Sequence, residues 1–139
     1  MVLGEGIGSI ENNAYNNRLE AIALIVMEEC IREGVLETID WFAEKGVDVR
    51  VISGDSELTA AAIASKAGIR NCDKYISLQG MSIDEVKSFA FNYTVFGRAT
   101  PAQKQALINV FEEQGRTVAM LGDGTNDIPA LSSANCAKL

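Results

Sequence analysis

A short apolar segment, Val-Ala-Met-Leu at residues 118–121, runs directly into a Gly-Asp-Gly-Thr-Asn-Asp turn at residues 122–127. Such an apolar run is typical of a strand buried on both faces of a parallel sheet, and glycines let the backbone turn tightly beside a ligand. The turn is expected to present two carboxylates and an amide at the carboxyl edge of that sheet. Mg²⁺ takes carboxylate oxygens together with phosphate oxygens and water. The pattern therefore favours a Mg²⁺ and phosphate site, with an Asx-type turn that caps the next helix as the alternative.

Two further strand ends carry complementary chemistry. A strand-like segment, Val-Arg-Val-Ile at residues 49–52, leads into Ser53, Gly54 and Asp55. Residues 96–104 end another strand and open a helix, with a proline near the first helical position and Lys104 about one turn into the helix. A hydroxyl, free amides, a lysine and carboxylates brought to one edge could neutralise a bound phosphoryl group and its metal. A solvated helix lysine is the alternative interpretation of Lys104.

Apolar periodicity predicts strands that alternate with helices from residue 19 onward. Such alternation implies an α/β fold, with a parallel sheet covered by helices on both faces and the three motif turns at one carboxyl edge. The predicted strands are residues 21–27, 48–52, 74–77, 93–98 and 117–121, and the predicted helices are residues 33–45, 58–67, 82–92, 103–114 and 125–133.

Local signals refine the helices. Asp55 or Ser56 is placed to cap the helix at residues 58–67. Ser82 and Glu85 have the spacing of a capping box. Trp41 and the phenylalanines are expected in the core, as is an apolar stripe on the first helix formed by Ile31, Val35, Ile39 and Phe42. The strand at residues 21–27 is expected to be buried.

Three motifs together resemble the phosphorylation domain of P-type (E1-E2) cation-transporting ATPases, which belong to the haloacid dehalogenase-like superfamily. They are the Ser-Gly-Asp at residues 53–55, the Ala-Thr-Pro-Ala-Gln-Lys at residues 99–104 and the turn at residues 122–127. Their order and spacing match the family from about residue 19 to the last residue. The resemblance implies an incomplete Rossmann-like parallel sheet in a partial phosphorylation domain at residues 19–139. Residues 1–18, rich in Gly and Asn, then form a loop or the tail of a preceding nucleotide-binding domain.

The resemblance also implies a role for each matching residue. Asp123 binds Mg²⁺ with Asp127 supporting the metal, and Lys104 and Asp127 are the catalytic groups. The phosphoryl oxygens are bound by the hydroxyl of Ser53, the amide of Gly54, the ammonium of Lys104 and the side chain of Asn126.

One departure from the family pattern concerns the nucleophile. The Asp-Lys-Thr-Gly-Thr segment that carries the family's nucleophilic aspartate occurs nowhere in these 139 residues. In the family that segment follows a central strand, so this chain is expected to lack a strand between those of Ser53 and Asp123. Unpaired backbone groups inside a sheet are costly. We therefore expect the two strands to close onto each other, or the gap to be filled by Val2 and Leu3 or by a neighbouring molecule.

Smaller departures occur at Ser56, Cys30 and Asn135, where the family often has asparagine, proline and aspartate. We expect them to affect the periphery of the site, in nucleotide or hinge details, more than the Mg²⁺ site.

Composition excludes several other functions. Twelve basic and 19 acidic residues give a net charge of −7, which argues against a nucleic-acid-binding face. Three widely spaced cysteines and no histidine argue against a zinc site or a disulfide framework. No apolar run approaches the roughly 20 residues that span a bilayer.

The sequence therefore predicts a soluble piece of the cytosolic catalytic domain of a membrane cation pump. The whole protein would use ATP and Mg²⁺, form and hydrolyse an aspartyl-phosphate, and work with a cation, further pump domains and membrane helices. The isolated piece is expected to be inactive. A soluble haloacid dehalogenase-like phosphatase and a non-catalytic regulatory or scaffold domain are the alternatives.

Overall fold

The structure is a computed structural model that describes residues 1–6, 10–11, 14–15, 19–26 and 30–138. The chain divides into two compact units, Met1–Cys30 and Ile31–Leu139. No helix in the described part of the chain is long and apolar enough to cross a membrane.

The first unit consists of two antiparallel strand pairs. Strand β1 (Val2–Glu5) pairs with β4 (Glu20–Leu24), and β2 (Ile10–Glu11) pairs with β3 (Ala14–Tyr15). The composition of residues 1–18 favours loops, so these short strands correct that expectation, whereas the assignment to a preceding domain stays a prediction. Every residue of β1 and β4 is exposed. The expected burial of the strand at residues 21–27 is therefore wrong for residues 21–26, and residue 27 lies outside the described residues.

The second unit alternates strands with helices, as predicted. Its strands are β5 (Val51–Ile52), β6 (Tyr75–Ser77), β7 (Val95–Gly97), β8 (Ala119–Leu121) and β9 (Cys136–Lys138). Its helices are α1 (Val35–Glu44), α2 (Glu57–Lys66), α3 (Ile83–Phe89), α4 (Pro101–Glu113) and α5 (Ile128–Ser133), with a 3₁₀ turn at Thr125–Asp127. The predicted elements are present but generally shorter, and β9 was not predicted.

Helices cover both faces of a parallel three-stranded sheet, ordered β5-β7-β6. Successive residues of a strand point to opposite faces. Val95 in β7 packs with Ala60 and Ala64 of α2, whereas the next residue, Phe96, packs with Leu107 of α4 and with α3. Both Val95 and Phe96 are fully buried. The predicted α/β architecture, with helices on both faces of a parallel sheet, is therefore confirmed.

Strands β8 and β9 form a separate parallel pair that packs on the other side of α4. Its core joins Met120 of β8 to Ile108 of α4 and to Leu131 of α5, and Ile52 of β5 packs against it as well. In the part of the chain that the structure describes, β5 and β8 do not pair with each other, so the expected closure is absent.

Val2 and Leu3, the first candidates for filling that gap, pair with β4 instead. Val2 pairs with Leu24, and Leu3 pairs with Ala23. Occupation of the gap by Val2 and Leu3 is therefore wrong, and occupation by a neighbouring molecule stays a prediction.

Helix α1 is more exposed than its periodicity predicts. Val35 and Ile39 are half-buried, but Phe42 is 37% exposed and Trp41 is 54% exposed. A periodic stripe identifies the apolar side of a helix, but burial also needs a second layer to cover it. The core assignment is therefore wrong for Trp41, for Phe42 and for Phe91, which is 43% exposed, while it is confirmed for Phe96 and Phe111.

Candidate functional site

A cleft of about 540 Å³ opens at the carboxyl ends of β5 and β8. Its lining consists of Ile52, Ser53, Gly54, Asp55, Lys104, Leu121, Gly122, Asp123 and Asp127. The fold thus brings together five of the six residues predicted for the site. Asn126 is the exception, since it is exposed on the 3₁₀ turn and does not line the cleft. Its role in binding a phosphoryl group stays a prediction.

The β5 side of the cleft is fixed by backbone hydrogen bonds to β7 and to the loop after it. The amide of Ser53 donates to the carbonyl of Phe96 at 2.8 Å, and the amide of Ala99 donates to the carbonyl of Ser53 at 2.9 Å. The amide of Asp55 donates to the hydroxyl oxygen of Ser53 at 3.1 Å. That hydroxyl is held as an acceptor and keeps its own proton to donate to a ligand.

Helix α2 begins against this loop because two local features permit it. Ser56 caps the helix by accepting the amide of Thr59 at 3.2 Å, as predicted for this position. A Cβ on Gly97 would lie 2.2 Å from the backbone nitrogen of Glu57. Only glycine fits there, so Gly97 sets the close approach of α2 to the end of β7. Ser56, where the family often has asparagine, therefore serves as a helix cap.

The β8 side of the cleft is built around an ion pair. The ammonium of Lys104 donates to a carboxylate oxygen of Asp127 at 2.7 Å, and the two side chains are only 12% and 9% exposed. This hydrogen bond lowers the pKa of Asp127, against the opposing effect of burial. Backbone N–H groups of Gly124 and Asp123 lower it further. Asp127 is therefore held as a carboxylate facing the cleft.

Gly122 allows Asp127 to occupy this position. A Cβ on Gly122 would lie 2.7 Å from the Cβ of Asp127 and 2.9 Å from its carboxylate oxygen. Real Cβ atoms do not approach so closely, so a side chain here would displace Asp127. The sequence predicted that this glycine permits a close approach to a ligand. In the structure the close neighbour is the Asp127 side chain of the same turn.

The donor set fits Mg²⁺ as a partial site. Asp123 is exposed, and its carboxylate has no hydrogen-bond or ion-pair partner among the described residues. The described residues contain no cluster of three or more acidic, histidine or cysteine groups that could enclose a metal. Mg²⁺ normally takes one or two carboxylates plus phosphate and water, so Asp123 with Asp127 nearby suffices only together with a bound phosphate.

Sequence reasoning missed one residue that lines the cleft, Asp55, and one buried residue outside the lining, Gln103. Asp55 lines the cleft, and its place directly after Ser53 and Gly54 was a sufficient signal. Gln103 is 5% exposed, and its amide bonds to residues 22 and 25 positions earlier. No local sequence pattern predicts such contacts.

Asn135, where the family often has aspartate, accepts the amide of Val118 at 2.8 Å through its side-chain oxygen. It therefore anchors the start of β8, away from the cleft lining.

Comparison with known proteins places this chain in a family. A model of haloacid dehalogenase-like hydrolases matches residues 3–135. The probable cation-transporting ATPase exp7 of Streptococcus pneumoniae is 38% identical over 119 residues, which cover 86% of this chain and 15% of that protein. The calcium-transporting ATPase CtpE of Mycobacterium tuberculosis is 33% identical over 135 residues, 97% of this chain and 17% of that protein.

A third relative matches a shorter part of this chain. The P-type 1 magnesium-transporting ATPase of Salmonella typhimurium is 36% identical over 92 residues, 65% of this chain and 10% of that protein. The chain spans less than a fifth of the length of these relatives. The chain belongs to the haloacid dehalogenase-like hydrolases, and its relatives over most of its length are P-type cation-transporting ATPases.

Proposed function

We propose that this chain is part of the phosphorylation domain of an ATP-driven cation pump. Its cleft would bind Mg²⁺ and the phosphoryl group that passes from ATP to an aspartate absent from this sequence. The observation that carries the proposal is the convergence of Ser53, Lys104, Asp123 and Asp127 on one cleft from three different strand ends. The names of the relatives support transport of a cation.

The charged and the neutral groups of the cleft would have different roles. The ammonium of Lys104 would offset the negative charge of the phosphoryl oxygens. The hydroxyl of Ser53 and the amide of Gly54 would donate hydrogen bonds from the opposite side of the cleft. Asp127 holds Lys104 in place through the 2.7 Å ion pair. Positioning and preorganised electrostatics would then supply most of the rate enhancement.

The metal would be held chiefly by Asp123, with Asp127 supporting it. Mg²⁺, when bound, neutralises the charge that develops on phosphoryl oxygens. Asp123 is exposed at the cleft and is free to take part in such a site. Asn126, which lies outside the lining, would have to turn inward to reach a phosphoryl group.

A soluble haloacid dehalogenase-like phosphatase is the second candidate, because the family model describes hydrolases in general. A non-catalytic regulatory or scaffold domain is the third. The sequence that flanks this chain discriminates among them. Membrane spans and an upstream Asp-Lys-Thr-Gly-Thr segment support the pump, whose partners would then be its other domains and membrane helices, with this part on the cytosolic side.

The test is formation of an acid-stable acyl-phosphate from radiolabelled ATP with Mg²⁺ in the longer protein. Lys104→Ala should lower phosphoenzyme formation or turnover by on the order of 10²-fold, as expected for one preorganised electrostatic donor. Lys87→Ala is the matched control, because Lys87 is 37% exposed and 3.9 Å from Glu113, and it does not line the cleft.

Normal activity in the Lys104→Ala variant would remove Lys104 from the site. The 139-residue chain itself should take up no label. Stoichiometric labelling of this chain would mean that Asp55 or Asp123 serves as a nucleophile, and the proposal would fail.

A further inference from the structure

Helices α3 and α4 both begin with a capping box, but the two boxes differ in chemistry. In α3, a carboxylate oxygen of Glu85 accepts the amide of Ser82 at 2.8 Å. In α4, the side-chain oxygen of Gln103 accepts the amide of Thr100 at 3.0 Å. A capping box needs only an acceptor at this position, and Glu85 shows that a carboxylate suffices. The N–H donors of Gln103 are therefore not required for capping.

These donors bind the turn that follows β6. The side-chain nitrogen of Gln103 donates to the carbonyls of Leu78 and Met81, each at 2.9 Å. The turn itself is closed by the amide of Met81, which donates to the carbonyl of Leu78 at 3.1 Å. Gln103 is 5% exposed and Leu78 is fully buried. A buried amide with three hydrogen bonds has one orientation, so Gln103 ties the first turn of α4 to the end of β6.

The residue after Gln103 is Lys104, which belongs to the same helical turn. The amide of Lys104 donates to the carbonyl of Thr100 at 2.9 Å, and its ammonium reaches Asp127 in the cleft. A lysine side chain has many accessible rotamers, so its ammonium stays in one place only if its backbone is fixed as well. A shift of the first turn of α4 would be carried directly to that ammonium.

We propose that Gln103 is the positioning residue for Lys104. Its two hydrogen bonds to Leu78 and Met81 fix the first turn of α4 so that the Lys104 ammonium stands at the cleft. This inference rests on the proposed role of Lys104 in binding a phosphoryl group. Gln103 itself does not line the cleft and would not touch that group.

The experiment compares two charge-matched variants of this chain at pH 8. Gln103→Glu keeps the capping acceptor and replaces the donors by an acceptor. Gln105→Glu makes the same chemical change two residues later, where the amide of Gln105 donates to the hydroxyl of Ser133 at 3.1 Å. The readout is NMR relaxation of the Lys104 side chain. Gln103→Glu should lower its order toward that of Lys87, whose side chain is 37% exposed and lies outside the cleft, whereas Gln105→Glu should leave it unchanged.

A second pair of variants perturbs the other partner and leaves α4 untouched. Gly80 lies in the turn with φ 78, and a Cβ there meets no atom within 4 Å. Gly80→Ala therefore strains the backbone that carries the two acceptor carbonyls without creating a clash. The same loss of order at Lys104 is expected. Gly115→Ala, at φ 74 and equally open, imposes the same strain at the far end of α4 and is the control.

The inference would be overturned if the Lys104 side chain is as ordered in Gly80→Ala as in the wild type. The same result in Gln103→Glu, if that variant folds, would also overturn it. A separate titration with inorganic phosphate and Mg²⁺ tests the proposed function on the same samples. Gln103→Glu should weaken phosphate binding by on the order of tenfold through misplacement of Lys104. An ordered Lys104 in a wild-type chain that shows no phosphate-induced shifts would count against the proposed function and leave the positioning role intact.

Discussion

The two walls of the cleft come from sheets of very different completeness. In the three-stranded sheet, β7 has a partner on each side, and all three of its residues are buried. In the β8–β9 pair, β8 has β9 as its partner, and Leu121 at its end is 77% exposed. Both strands are apolar and both lead into polar turns. An apolar run therefore predicts a strand, but the number of layers and neighbours around it determines its burial.

The difference extends to how each wall is held. The β5 wall is fixed by short backbone hydrogen bonds to β7 and to the loop after it, such as the 2.8 Å bond from Ser53 to Phe96. The β8 wall also has a backbone bond, from the amide of Gly122 to the carbonyl of Lys138 at 3.0 Å, but its charged groups are held by the ion pair of Lys104 with Asp127. The hydroxyl side of the site is therefore held by backbone hydrogen bonds, while the charged side depends on a side chain of α4.

The largest expected effect tests the difference in burial. Phe96→Ala removes a fully buried ring from β7 and should destabilise the chain by roughly 3–5 kcal/mol. Leu121→Ala is the matched change in β8 and should stay within about 0.5 kcal/mol, since this leucine is largely exposed. Urea unfolding followed by circular dichroism measures both. A cost of Leu121→Ala comparable with that of Phe96→Ala would show that β8 is covered in solution.

The next largest effect concerns the stability cost of replacing a glycine in the turn after β8 or in the turn after β5. Gly122→Ala places a methyl group 2.7 Å from the Cβ of Asp127, so it should cost roughly 1–3 kcal/mol by overpacking. It should also separate Asp127 from Lys104. Gly54→Ala meets no atom within 4 Å and should change the free energy of unfolding by less than about 1 kcal/mol. Equal costs for the two variants would contradict the tight packing assigned to the β8 turn.

Acid should weaken the β8 wall by protonating the carboxylate of Asp127. Because the hydrogen bond from Lys104 lowers the pKa of Asp127 in the fold, the contribution of this carboxylate is complete above its unfolded pKa of about 4. The contribution is then lost as the pH falls through the lowered folded pKa. Unfolding free energies between pH 5 and pH 2 should therefore fall less steeply for Asp127→Asn than for the wild type.

Glu85 supplies the comparison outside the cleft. Its pKa is also lowered, by hydrogen bonds from Ser82 in the α3 cap. Glu85→Gln should likewise flatten the acid dependence but leave the NMR shifts of Lys104 unchanged. An Asp127→Asn variant with the full wild-type slope would show that the ion pair does not form in solution.

The features that the sequence predicted are local, and those that it missed depend on the surrounding layers. The caps at Ser56 and at Ser82 with Glu85 were predictable, because their partners lie within three residues. The gathering of Ser53 and Asp123 was predicted from strand direction within one sheet, whereas their strands belong to two separate sheets that meet at the cleft. The exposure of Trp41 was not predictable, since it depends on which layers surround α1.

Two other features could not be predicted from local sequence patterns. Strand β9 is only three residues long and carries no alternation that would identify it. The bonds of Gln103 reach 22 and 25 residues back along the chain. Such contacts depend on the tertiary arrangement of α4 and the turn after β6, which no short segment of sequence encodes by itself.

The smallest expected effect decides which wall holds the metal. We expect the chain to bind Mg²⁺ weakly, with an affinity on the order of millimolar at best, because a full site needs phosphate oxygens as well. An NMR titration should shift the amides of residues 122–127 first, and Asp123→Ala should abolish those shifts. Asp55→Ala removes the carboxylate of the β5 wall, which lines the same cleft, and should leave them in place. Shifts that survive Asp123→Ala but disappear in Asp55→Ala would move the metal to the backbone-fixed wall, where no pump-like role for Asp123 would remain.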